Sequence, residues 1–323
     1  MRFCEIVANG NTVRTLQNAV SSGPLSHAYL LHGTKGTGKR TLARIFAGAI
    51  LCRGEERPCG ECPACLKTEK GIHPDLMIVQ KPDGKAGILV EQVRSMREQI
   101  YLRPNESEYR VVIIEESETM NLSAANALLK VLEEPPPYVV FILTANNIFS
   151  LPETIVSRCL CLEMQETSLH QAEKWLLSQY PDADPLMLEG ALCYGNGNLG
   201  RSISYMEEES CRERFDQALC LARSLTADRE YDILAALSPF DGDKDGFLRL
   251  LTDLDAIVAQ VAAAGTGSAN LREAAALAQK IRPMQAVHIH ELVDEIRLKI
   301  MYNGNGTLMQ NLFCARLKTI MER

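Results

Sequence analysis

From Ser26 to about Glu163, short apolar runs alternate with segments in which apolar positions recur every three or four residues. Continuous apolar runs bounded by turn residues predict strands buried on both faces, and the longer spacing predicts the helices that cover them. The runs place strands at Ala28–His32, Asp75–Gln80, Arg110–Ile114, Val139–Thr144 and Leu160–Glu163. Between the third and fourth, Leu122, Ala125, Leu128, Leu129 and Leu132 share one helical face, and Pro135-Pro136-Pro137 stops that helix, because proline lacks the N–H and clashes with the preceding turn. This is the pattern of an α/β domain, a parallel five-stranded sheet wrapped by helices.

Beyond Gln165 the strand signals fade and helical spacing takes over, broken at Tyr180-Pro181-Asp182, Gly195-Asn196-Gly197 and Ala263–Ser268. The break at Gly197 separates a short helical piece from a longer one, which sets a boundary near Glu207. The expected domains are 1–165 (α/β), 166–207 (small helical) and 208–323 (all-α).

A chain of 323 residues, 46% hydrophobic, has room for two or three cores. Its formal charge of −7 lacks the basic footprint of a protein that grips nucleic acid alone. No apolar run approaches the roughly 18 residues that cross a bilayer, and MRFCEIVANGNTVR lacks the pattern of a signal peptide. Cytoplasmic residence without a membrane is expected. The 11 cysteines then point to free or metal-bound thiols in a reducing compartment.

The first chemical motif follows the first strand directly. In LHGTKGTGKRTLAR, Gly33, Gly36, Gly38 and Lys39 form a phosphate-binding loop that opens a helix. Its backbone N–H groups and the lysine suit the phosphates of ATP or ADP. Arg40, however, stands where a magnesium-binding Ser or Thr is expected. Thr41 does not replace that hydroxyl, since one step along a helix turns a side chain by about 100°. Magnesium binding is therefore doubtful, and the loop either binds nucleotide or survives as structure alone. The acidic end of the third strand agrees: Glu115-Glu116 follows Val111-Val112-Ile113-Ile114, with Glu115 where an Asp would hold the metal.

Cys52, Cys59, Cys62 and Cys65 form C-x6-C-x2-C-x2-C, with Pro58, Gly60 and Pro63 forcing tight turns. Four close thiolates suit a structural Zn²⁺; an iron–sulfur cluster or free cysteines are the alternatives. His73, just downstream, is expected to serve a turn. Arg94, Arg97 and Arg103 are interspersed with Glu91, Glu98, Glu106 and Glu108 and read as a mixed solvated face. Arg158 in Ser157-Arg158-Cys159 reads, on its own, as a solvated surface residue.

Taken in order, SHAYLLHGTKGTGK, the four-cysteine module, GIHPDLMIVQKPDG, the acidic strand, SAANALLKVLEEPPP and LPETIVSRC resemble the bacterial clamp loaders, AAA+ proteins of DNA polymerase III. The resemblance implies a AAA+ domain, a helical lid over 166–207 and a helical collar to Arg323 in a hetero-pentameric ring with gamma/tau and delta subunits. Such a ring loads the sliding clamp onto primer–template DNA. Arg158 would be an arginine finger reaching a neighbour's ATP, Asn146 or Thr144 the sensor 1 residue, and Arg201 in GNGNLGRS the sensor 2 residue. With Arg40 and Glu115, the pattern is nearer the delta-prime branch, with its own hydrolysis doubtful, than the gamma/tau motor, which remains the alternative. A zinc-bearing scaffold with an empty pocket is a third reading.

Overall fold

The parallel sheet expected from the apolar runs is present, with helices packed on both of its faces. The computed structural model describes residues 2–82, 84, 85, 87–226, 230–264, 272–301 and 305–321. In the first unit, residues 1–171, the regular elements run α1 (Gly10–Ser21), β1 (Ala28–His32), α2 (Lys39–Leu51), α3 (Pro63–Glu69), β2 (Leu76–Val79), α4 (Val90–Ile100), β3 (Arg110–Ile114), α5 (Leu122–Glu133), β4 (Val139–Ala145), α6 (Glu153–Val156) and β5 (Leu160–Glu163). Strand order is β2-β3-β4-β1-β5, all parallel, so β1 is flanked by β4 and β5.

The strands are apolar throughout because both faces are covered. Side chains alternate across a strand, so Leu30, Val112, Ile114, Phe141 and Leu143 pack on one side with Val93 and Met96 of α4 and Leu128 of α5. Tyr29, Leu31, Val111, Ile113, Val140 and Ile142 pack on the other with Leu16 of α1 and Leu42 and Phe46 of α2. β1 thereby places the glycine-rich loop of residues 33–38 at its carboxyl end, and β3 does the same for Glu115.

β2 is shorter than the expected Asp75–Gln80 by one residue at each end: the Gln80 carbonyl accepts from Gln92 Nε2 of α4 at 3.0 Å, and Asp75 serves a loop. Its buried carboxylate accepts backbone N–H bonds from Asn105 (2.5 Å), Glu106 (2.8 Å) and Ser107 (2.9 Å). His73 Nδ1 accepts the Asp75 N–H at 3.1 Å, the turn role expected of it. Burial alone would raise the carboxyl's pKa, but the three N–H groups outweigh it and hold the pKa below its usual value. Because the folded pKa lies below the unfolded one, this contribution to stability is complete above about pH 4 and is lost as pH falls through the folded pKa. Asp75→Ala is expected to cost about 3–5 kcal/mol at neutral pH. Urea titrations at pH 7 and pH 3 check this: the gap between variant and parent should narrow at the lower pH.

The second unit, residues 172–323, is helical in its described residues. α7 (Leu169–Gln179) leads into it; α8 (Pro185–Gly195), α9 (Leu199–Glu207), α10 (Glu209–Ser224), α11 (Glu230–Leu237), α12 (Lys244–Ala264), α13 (Arg272–Ala278), α14 (Pro283–Met301) and α15 (Gly306–Met321) follow. One buried cluster, including Phe215, Phe247 and Phe313, extends from Leu176 to Leu317. The Gly197 break lies between α8 and α9, and the Ala263–Ser268 break falls, from residue 265 on, outside the described residues. No helix among the described residues is long and apolar enough to cross a membrane.

Candidate nucleotide and metal sites

The loop between β1 and α2 is built from left-handed glycines. Gly33, Gly36 and Gly38 have φ of 147°, 93° and 84°, values that side chains disfavour. At Gly33 the constraint is also steric, since a Cβ would lie 2.1 Å from the Met164 carbonyl oxygen. Gly38 is the N-cap residue of α2, whose first residue, Lys39, is buried. Lys39 Nζ donates to the Gly33 and Thr34 carbonyls, each at 2.6 Å. Burial pulls its ammonium pKa down to about 8, opposed by the Glu118 and Glu116 carboxylates and assisted by Arg40.

Arg40 and the acidic strand end, singled out separately in the sequence, meet. Arg40 Nε lies 3.1 Å from Glu115 Oε2, and Arg40 Nη2 donates to Glu116 Oε1 at 2.6 Å. Glu115 is buried, and its other oxygen, Oε1, accepts from Arg44 Nη2 at 3.2 Å. Two guanidinium groups thus pair with two carboxylates where the first turns of α2 meet the end of β3. Thr41 is exposed. Glu116 adopts a left-handed backbone (φ 51°), and its N–H is bonded to Thr144 Oγ1 at 3.1 Å.

Asn146 donates from its backbone N (2.9 Å) and Nδ2 (2.7 Å) to Glu118 Oε1. Arg44 and Glu118 were not singled out by the sequence. The i, i+4 relation of Arg40 and Arg44 on one helix face was the available signal for the first.

Arg158 follows α6 and leads into β5. Its Nη2 donates to Glu133 Oε1 on α5 at 2.9 Å and its Nη1 to the Thr154 carbonyl at 2.9 Å. Arg94 and Arg103 are exposed and Arg97 half-buried, in keeping with a solvated face.

Arg201 lies in the second unit, on α9. Its guanidinium pairs with Asp253 Oδ1 at 3.1 Å and stacks 4.6 Å from the Tyr194 ring centroid; Arg214 Nε lies 3.8 Å from the other oxygen. Asp253 is buried, which raises its pKa to about 6 against the pull of Arg201 and Arg214. Arg201→Ala is expected to lower the stability of the nucleotide-free chain by about 1–3 kcal/mol, because it leaves a buried carboxylate short of a partner. Urea unfolding without nucleotide measures this, and it must be known before any loss of activity in that variant is assigned to phosphate sensing.

The four cysteines converge between α2 and α3. Cys52 follows α2, Cys62 is the N-cap of α3, and Cys65 lies in its first turn. The Sγ atoms lie 3.6 Å (Cys52–Cys59), 3.8 Å (Cys52–Cys62) and 3.9 Å (Cys59–Cys65) apart, and all four fall within 4.8 Å of one another. A disulfide needs about 2.05 Å, whereas a tetrahedral ion with Zn–S of about 2.3 Å gives edges of about 3.8 Å. Gly54, Cys62 and Cys65 point backbone N–H groups at Cys52, Cys59 and Cys62 sulfurs. The Glu61 and Cys62 N–H groups pull the Cys59 thiol down to about 6, while burial pushes Cys52 and Cys65 up. The cluster fits a four-coordinate metal, and zinc is an ion it could hold.

A family model described as DNA polymerase III, delta subunit, matches residues 8–168. DNA polymerase III subunit gamma of Buchnera aphidicola subsp. Acyrthosiphon pisum is 33% identical over 211 residues, covering 64% of this chain and 58% of that protein. Subunit tau of Bacillus subtilis is 36% identical over 190 residues, covering 58% and 33%. Subunit delta' of Pseudomonas aeruginosa is 36% identical over 178 residues, covering 54% and 53%. The chain thus spans between a third and three fifths of the length of these relatives. A solved DNA polymerase III gamma subunit-related protein of Thermotoga maritima superposes with a TM-score of 0.56 at 16% identity, covering 95% of this chain and 99% of that one, which shows a shared fold. Through residues 8–168, the chain belongs to the AAA+ clamp-loader family of bacterial DNA polymerase III.

Proposed function

We propose that this chain is a delta-prime-like stator of the DNA polymerase III clamp loader, placing the sliding clamp on primed DNA without hydrolysing ATP itself. The observation that carries this reading is the pairing of Arg40 with Glu115 and Glu116. A hydrolytic site needs a hydroxyl and a free carboxylate on Mg²⁺, and a second acid to orient water. Here arginine replaces the hydroxyl, and both acids are held by guanidinium groups. The residues present do not fit a magnesium ion.

In this reading Arg158 acts outward, on ATP held by a neighbouring gamma/tau subunit, while residues 166–207 form the lid and 208–323 the collar of a pentameric ring with delta. Arg201 and either Thr144 or Asn146 take the sensor positions. Zinc in the four-cysteine module is structural, because four protein ligands leave no position for substrate. Contact with primer–template DNA comes through the complex, and the setting is cytoplasmic.

The motor reading is favoured by the gamma and tau names among the relatives. It requires Mg²⁺-dependent hydrolysis by this chain alone, abolished by Lys39→Ala. The stator reading requires turnover in the reconstituted complex to depend on Arg158 of this chain.

A further inference from the structure

The loop half of the nucleotide site and its metal half have been treated differently. The loop half is complete: three left-handed glycines shape it, and the Lys39 ammonium is held by two loop carbonyls that a phosphate oxygen can replace. In the metal half, both Glu115 oxygens and one Glu116 oxygen are engaged by Arg40 and Arg44. A divalent cation there would lack its hydroxyl ligand, compete for occupied carboxylate oxygens and sit beside two guanidinium groups.

We propose that this site binds a nucleoside di- or triphosphate without a divalent cation, Arg40 supplying the fixed positive charge that the metal would otherwise carry. The inference rests on the P-loop being a nucleotide site, and it is independent of where Arg158 acts.

Three features carry it. At the strand end two arginines match Glu115 and Glu116 without a metal, while Lys39, with Glu118 as its strongest carboxylate neighbour, and the loop N–H groups face the phosphates. Arg40 is anchored but not enclosed: its side chain is 55% exposed against 3% for Glu115. A guanidinium presents five N–H donors in a planar fork, so it can keep the strand end and still meet a phosphate oxygen. Finally, Arg40 links the first turn of α2 to the end of β3, the connection that a bridging metal makes in a hydrolytic P-loop site. The site is thereby suited to hold nucleotide and unsuited to cleave it.

The test is calorimetric titration of the full chain with ADP and with ATP, in Mg²⁺ and in EDTA. The expected result is binding of comparable affinity in both, lost in Lys39→Ala. Arg40→Gln removes the charge and keeps a polar stem; in EDTA it should weaken binding on the order of tenfold, the value of one charge-assisted hydrogen bond. Arg40→Thr restores the hydroxyl and frees Glu116 and one oxygen of Glu115, the other staying with Arg44, so its binding should become tighter in Mg²⁺ than in EDTA by a similar factor. Absence of binding by the parent chain, a strong Mg²⁺ requirement, or an Arg40→Gln chain that is folded by circular dichroism and binds unchanged would each overturn the proposal. A strong Mg²⁺ requirement would also weaken the stator reading, whereas absent binding or an unchanged Arg40→Gln chain would leave it to be decided by turnover through Arg158.

Discussion

Replacing Arg158 with alanine is expected to reduce DNA- and clamp-stimulated ATP turnover of the reconstituted complex on the order of 10³-fold, the lower range for an arginine finger supplied from outside. The effect should be catalytic, because little else depends on this side chain. Its pair with Glu133 involves side chains 35% and 50% exposed, and pairs of that kind contribute about 0–1 kcal/mol. The base of the residue is fixed independently: Ile155 of α6 is buried, and the Arg158 N–H is bonded to the Ile155 carbonyl at 3.1 Å. The variant should therefore fold and assemble normally while the neighbour's transition-state charge goes unanswered. Arg158→Lys is the informative control, since it keeps the charge and loses the planar fork; recovery of a small part of the turnover is expected. Turnover equal to the parent's in an intact complex would remove Arg158 from the chemistry and leave this chain a scaffold or a motor.

The sequence was most legible where the physics is local. Runs such as Val111-Val112-Ile113-Ile114 have no amphipathic choice to make, so their burial on both faces follows directly. Strand ends were less legible, because they are set by hydrogen bonds from elsewhere. β4 reaches Ala145, whose carbonyl accepts the Gly33 N–H at 3.2 Å, while β2 loses Asp75 to the loop at 105–107.

The same division holds at the sites. The four-cysteine cluster could be read because its ligands lie within fourteen residues. Arg40 could be read as a missing hydroxyl, but its ion pairs could not, since they depend on β3 ending beside the first turn of α2. The Asp253 partner of Arg201 lies 52 positions away and was invisible, because only helix packing brings α9 and α12 together.

Protein purified without chelator is expected to carry one zinc per chain by elemental analysis, held by Cys52, Cys59, Cys62 and Cys65. The stretch from Cys52 to Cys62 has no regular secondary structure, so a metal must offset the cost of ordering it, about 1–2 kcal/mol per residue. Structural zinc in such a site contributes about 10–16 kcal/mol at neutral pH, folding and binding being one event. Cys62→Ser should therefore abolish stoichiometric metal and increase proteolysis between Cys52 and Cys65, while the sheet, with its own two-sided core, remains cooperative. Metal affinity should also fall in acid, as protons return to the thiolates. An iron–sulfur cluster would be distinguished by its visible absorption and by iron in place of zinc. Protein of full stability that contains neither metal would show that the thiols are held together by the backbone alone, and the structural assignment of the module would fail.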